Sequence, residues 1–97
     1  MARWILVNGS EREIFPSGRI FTGAELDFLI DGNISGYLLA ERIIGGIFLY
    51  MDDEGKLKGK RRNRLATELL HFYRWDLGQV VVYGNVLLAD LCETGDA

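Results

Sequence analysis

Hydrophobic and polar positions change period several times along the chain. Residues 3–7 and 10–15 form two short runs separated by Asn8-Gly9. Asn-Gly accepts the positive φ values of a tight type I′ turn, so this segment predicts a β-hairpin. Pro16-Ser17-Gly18 ends the second strand, because proline lacks a backbone donor and glycine frees the chain. Thr22-Gly23-Ala24-Glu25 has capping-box spacing, in which hydroxyl and carboxylate satisfy each other's orphan backbone amides. A short helix is expected from there, with Leu26, Leu29 and Ile30 at helical spacing and Gly32 as its left-handed stop.

The stretch 36–51 has mixed periodicity: Leu39 with Ile43 suits a helix, whereas the Ile and Tyr content suits strands. Gly45-Gly46 would cost a continuous helix about 1 kcal/mol per glycine, which favours two strands, 37–44 and 47–51. Asp52-Asp53-Glu54-Gly55 reads as a turn with Gly55 at the position that needs positive φ. The stretch 61–74 lacks glycine and proline, and Leu65, Ala66, Leu69, Leu70 and Tyr73 recur three and four apart, which predicts a second helix. Residues 79–89 are β-branched at their start and predict a central strand with a bulge or sharp bend at Gly84-Asn85, followed by a frayed polar tail, 92–97. The fold class expected is α+β: one small domain, 1–97, with a mostly antiparallel or mixed sheet of about five strands and two helices.

Composition adds bounds. With 48% hydrophobic against 26% charged residues in 97, the chain has the apolar material for one modest core, and no room for a second. The single cysteine, Cys92, cannot form an internal disulfide, and no run reaches the roughly 20 apolar residues of a membrane span. The opening residues have one basic residue and too short an apolar run for a signal peptide. A soluble, cytoplasmic protein with no membrane contact is expected.

Charge is distributed unevenly. Lys56, Lys58, Lys60, Arg61, Arg62 and Arg64 are six of the eleven basic residues, with no acid among them. Outside this cluster five basic residues face fourteen acidic ones, a balance of −9. Such a patch on an acidic body can attract an anionic partner at short range, the field being screened beyond about 8–10 Å at physiological salt. With Arg61, Arg62 and Arg64 expected in the first turn of the second helix, the arginines oppose the helix dipole, and an anion there would satisfy amides and guanidinium groups together. The plainer reading is a solvated surface, or arginines paired with Asp52, Asp53 and Glu54.

Candidate chemistry is sparse. One histidine and one cysteine fall short of a structural zinc site. His71 reads as a packing or surface residue, and a Cys92–His71 nucleophile pair would need the tail to fold back over the second helix. Asp31 with Glu54-Gly55-Lys56 echoes an acid, then Glu-x-Lys, arrangement in which carboxylates hold a divalent metal beside a phosphodiester. That arrangement needs a rigid strand, whereas Asp52, Asp53 and Glu54 read as an acidic turn. No nucleotide or calcium motif occurs, so no cofactor and no enzymatic activity are expected.

The segments Asp52-Asp53-Glu54-Gly55-Lys56-Leu57-Lys58-Gly59, Asn63-Arg64-Leu65-Ala66-Thr67 and Tyr83-Gly84-Asn85-Val86-Leu87 together resemble the core of the domain of unknown function 3846 family, in order and spacing across about 37–88. Lys60-Arg61-Arg62 departs from that family, which tends to carry Leu-Pro-Pro or a similar triplet there, and makes this chain's patch more basic. The resemblance implies a small protein of a phage, plasmid or other mobile element. In that setting the expectation is a non-enzymatic protein that inhibits a host defence or nucleic-acid-handling complex by direct stoichiometric binding, an acidic surface imitating nucleic-acid charge. The alternatives are a nucleic-acid-binding module using the segment 56–64, or sequestration of a small nucleotide. An exposed patch containing Trp4, Trp75 or Phe72 would allow a homodimer.

Overall fold

The computed structural model describes residues 2–41 and 46–90. The predicted hairpin is present as β1 (Ala2–Ile5) and β2 (Glu11–Ile14), paired antiparallel with Ala2 opposite Ile14. Its turn is not type I′. Gly9 N–H donates to Leu6 O (3.0 Å) and Leu6 N–H to Ser10 O (2.9 Å), and only Gly9 in the loop has positive φ (91°). This is the three-residue loop in which a glycine forms a bulge. Asn8 contributes through its side chain instead, accepting the Ser10 N–H at 2.9 Å. Glu11, Arg12 and Glu13 are exposed on β2, an edge whose charges discourage pairing with another chain.

The capping box forms as the spacing predicts: Glu25 N–H donates to Thr22 Oγ1 at 3.1 Å and Thr22 N–H to Glu25 Oε1 at 3.0 Å. It opens α1 (Gly23–Ile30), which ends on Asp31 at φ 55°, not on Gly32. Gly32 is required for a different reason. A Cβ there would lie 2.1 Å from Asp52 Cγ, so the glycine clears space for that carboxylate.

Strands β3 (Ile34–Glu41) and β4 (Gly46–Asp52) form the second hairpin, as the double glycine suggests; Gly45 and the predicted strand residues 42–44 lie outside the described residues. The last strand, β5 (Val86–Asp90), inserts between the two hairpins and gives a five-stranded antiparallel sheet in the order β2-β1-β5-β4-β3. The central strand is thus shorter than the expected 79–89. Val80 and Val82 are instead core-filling loop residues: Val82 N–H donates to Thr67 Oγ1 (2.9 Å) and its carbonyl accepts Asn63 N–H (2.8 Å). The chain then turns at Gly84, whose φ is 84°, where the sharp bend was expected.

The second helix, α2 (Arg64–Tyr73), starts three residues later than the periodicity indicates. Asn63 stops the helix from extending towards residue 61, because it is extended and its Oδ1 caps Ala66 N–H at 3.1 Å. Its buried amide donates to Ile5 O and Gly84 O, both at 3.0 Å, tying β1, α2 and the final bend together.

The helices cover opposite faces of the sheet. Ile5, Leu49, Met51 and Val86 pack with Ala66 and Leu70 of α2, while Ala2, Tyr50, Leu87 and Ala89 pack with Leu29 and Ile30 of α1. Central strands buried on both faces need no polar alternation, which is why β4 and β5 read as unbroken apolar runs.

Candidate functional site

The charged stretch from Asp52 to Arg64 divides into an inner and an outer part. Asp52 ends β4 with its side chain fully buried. Its Oδ1 accepts Asn33 N–H and Glu54 N–H at 3.0 Å each, and its Oδ2 accepts Lys58 Nζ and Lys60 Nζ, also at 3.0 Å. Four bonds occupy the accepting capacity of a carboxylate. Burial pushes the Asp52 carboxyl up, but the Lys60, Glu54, Lys58 and Asn33 donors together outweigh it and hold it well below the usual carboxylate range. The Asp52 hydrogen bond raises the Lys58 ammonium in return. Lys60 Nζ also donates to Ile30 O (2.9 Å) and to Asp31 O, so one ammonium joins the electronegative end of α1 to β4.

Residues 53–59 form successive turns. The positive φ falls on Gly59 (72°) and not on Gly55, which is buried under Tyr83: a Cβ on Gly55 would lie 3.0 Å from Tyr83 Cβ and 3.1 Å from its carbonyl. Asp52, Asp53 and Glu54 each bring one carboxylate oxygen within 4.8 Å of the others. Asp52 has its lone pairs committed, and Asp53 Oδ1 accepts the Asn33 side-chain amide at 2.8 Å. The acidic turn is therefore not a uniform solvated tip: its first member is an interior anchor.

Pairing of Asp52 with two lysines, rather than with arginines, changes what remains of the basic cluster. Lys56, Arg61 and Arg62 are exposed and have no carboxylate partner among the described residues. Arg64 meets Glu68 one turn along α2 at 3.2 Å, a pair with side chains 90% and 62% exposed that contributes about 0.3–0.5 kcal/mol at most. Arg61 and Arg62 precede the helix instead of occupying its first turn, and Arg62 bridges to Tyr83.

These side chains face three separate concavities. Lys56 lines a cavity of about 340 Å³ with Tyr37, Gln79 and Tyr83, and Arg61 one of about 190 Å³ with Asp31 and Asn85. Arg62 and Arg64 share a third, of about 360 Å³, with Thr67, Glu68 and His71. Lys60 lines the Arg61 cavity as well, but its ammonium is already taken by Asp52, so Arg62 and Arg64 are the pair of basic residues on one space that Asp52 does not engage. His71 Nε2 lies 2.7 Å from Val80 O. A carbonyl only accepts, so Nε2 carries the proton, and the imidazole is anchored to the loop that fills the core. Cys92 and the tail 92–97 lie outside the described residues, and with them the Cys92–His71 pairing.

The three-and-four spacing counts Tyr73 with the packing face of α2 and assigns no face to Phe72 or Trp75. Phe72, Tyr73 and Trp75 are 79%, 46% and 85% exposed at the C-terminal end of α2 and in the 3-10 turn after it, Trp75–Leu77. Phe72 and Tyr73 meet edge to face with ring centroids 5.0 Å apart. The usable signal was crowding: His71-Phe72-Tyr73-Arg74-Trp75 places four rings in five residues, more than one helical stripe can bury. Arg74 fixes this ridge, pairing with Asp76 through two bonds (2.9 and 2.8 Å) and donating to Leu38 O at 3.0 Å on the edge strand β3. Trp4 is different, being half-buried with its indole N–H on Leu29 O at 2.9 Å.

Compared with protein families, curated proteins and solved structures, the chain finds no match in any of the three. No helix among the described residues is long and apolar enough to cross a membrane.

Proposed function

We propose that this is a non-enzymatic binding protein of a phage or mobile element that inhibits a host defence or nucleic-acid-handling complex by occupying a protein surface. The observation that carries the binding reading is the ridge of Phe72, Tyr73 and Trp75, held out from the core while Arg74 fixes its base. Large aromatic side chains with low conformational freedom dominate the energetics of protein contacts, and a tryptophan 85% exposed is unusual away from one. The mobile-element setting is supported by the resemblance of residues 37–88, and a reducing cytoplasm is the compartment that fits it.

The test is paired capture from host lysate with the native chain and with Phe72→Ser/Trp75→Ser, followed by binding of the purified captured protein to both. A one-to-one complex formed by the native chain and lost in the variant supports the reading. Equal binding by both chains overturns the ridge as its contact surface.

A second reading, a nucleic-acid accessory module, is favoured by Arg61 and Arg62, which have no carboxylate partner among the described residues, beside Arg64. Phosphate contacts of this kind give salt-dependent affinity without sequence preference. Changing all three to alanine would abolish that binding, and retention of the salt slope would exclude the reading.

A further inference from the structure

The cavity shared by Arg62, Arg64 and His71 carries more positive charge than its own acid can balance. Arg62 and Arg64 both line one space of about 360 Å³, and Glu68 is the single acidic residue lining it among the described residues. That carboxylate is contacted by Arg64 through Nε, which leaves the terminal nitrogens of Arg64 and all of Arg62 without a side-chain partner among the described residues. Like charges held on one cavity repel, and an anion between them removes the repulsion while accepting from two forks. Thr67, on the floor, is 4% exposed and fully engaged, its hydroxyl donating to Asn63 O (2.8 Å) and accepting from Val82 N–H (2.9 Å), so the floor is rigid. His71 is fixed from behind by its Nε2 bond to Val80 O, which leaves Nδ1 free of other bonds among the described residues.

We propose that this cavity is a receptor for one phosphate group, with Arg62 and Arg64 as the guanidinium forks that hold it and His71 as a third, positioned polar wall. Phosphate is favoured over a carboxylate because its oxygens are arranged tetrahedrally and can meet two forks that approach from different planes, whereas the two oxygens of a carboxylate are coplanar. The same group could belong to a free nucleotide or to a nucleic-acid backbone. The site does not depend on the aromatic ridge proposed as the protein-binding surface.

The experiment is titration of the isotope-labelled native chain, followed by amide chemical shifts, with inorganic phosphate, adenosine monophosphate and an oligothymidylate of roughly 12 nucleotides. Saturable shifts concentrated at residues 62–71 are expected, with affinity reduced at least about tenfold in Arg62→Ala/Arg64→Ala and unchanged in Arg12→Ala, an exposed arginine on the distant edge strand β2. Tighter binding of the mononucleotide than of inorganic phosphate assigns the site to a free nucleotide. Tighter binding of the oligonucleotide, with a shallower salt dependence in the double variant, assigns it to a backbone. No saturable shift with any of the three probes overturns the proposal, as does equal weakening by Arg12→Ala. If the double variant does not fold, the shift map of the native chain decides: changes scattered over the molecule contradict the site, and changes confined to 62–71 support it.

Discussion

Asp52 with its two lysines and the outer face of α2 are built from adjacent stretches of sequence with similar charge, yet the fold uses them in opposite ways. Around Asp52, four donors meet one carboxylate out of contact with solvent, and the lysines that looked like a ligand-binding cluster fasten α1, β4 and the turns together. At the start of α2, Arg62 and Arg64 remain exposed, with only the weak Arg64–Glu68 pair among the described residues, and three aromatic rings stand in solvent at the helix's far end. Charge counted along a chain therefore overstates the available site. What distinguishes the two regions is whether each polar group already has partners inside the protein.

The strongest way to break the comparison is at Asp52. Asp52→Asn removes the charge that two ammonium groups face, and breaking a buried ion pair costs about 3–5 kcal/mol, which chemical denaturation would read as a large drop in midpoint. Gly32→Ala comes next. The added Cβ meets the Asp52 carboxyl group at 2.1 Å, and because that carboxylate is pinned it cannot retreat, so a loss of about 1–3 kcal/mol is expected in the same assay.

Acid sharpens the contrast. Asp52 is held below its ordinary value, so its contribution is complete above about pH 3.9 and declines as pH falls towards its folded value. Stability of the native chain should decrease over that acid range, and Asp52→Asn should remove this part of the slope. Lys58 runs the other way: raised by the same partner, its share is complete below its ordinary value of about 10.4 and fades as pH rises through the folded one. The smallest effects are expected outside. Phe72→Ser/Trp75→Ser and Arg62→Ala/Arg64→Ala should each change stability by no more than about 0.5 kcal/mol, because they remove exposed groups without a structural contact of consequence.

Local signals in the sequence were legible where a residue acts on its neighbours. The Thr22–Glu25 capping box, the first hairpin, the split at the double glycine and the apolar face of α2 through Leu70 follow from short-range geometry. Long-range roles were not. Gly32 looked like a helix stop because its contact with Asp52 comes from a residue twenty positions later, and Asp31 could take the left-handed position itself. Val80 and Val82 have strand propensity, yet tertiary packing against α2 uses them in a loop. Lys58 and Lys60 resembled their neighbours Lys56 and Arg61, and only the fold shows which ones the interior carboxylate takes.

Urea denaturation of Asp52→Asn beside Arg62→Ala/Arg64→Ala, each against the native chain, tests the division between inner and outer charge most directly. A destabilisation of about 3–5 kcal/mol is expected for the first and almost none for the second. Comparable losses in the two variants, or a larger loss in the arginine variant, would contradict it.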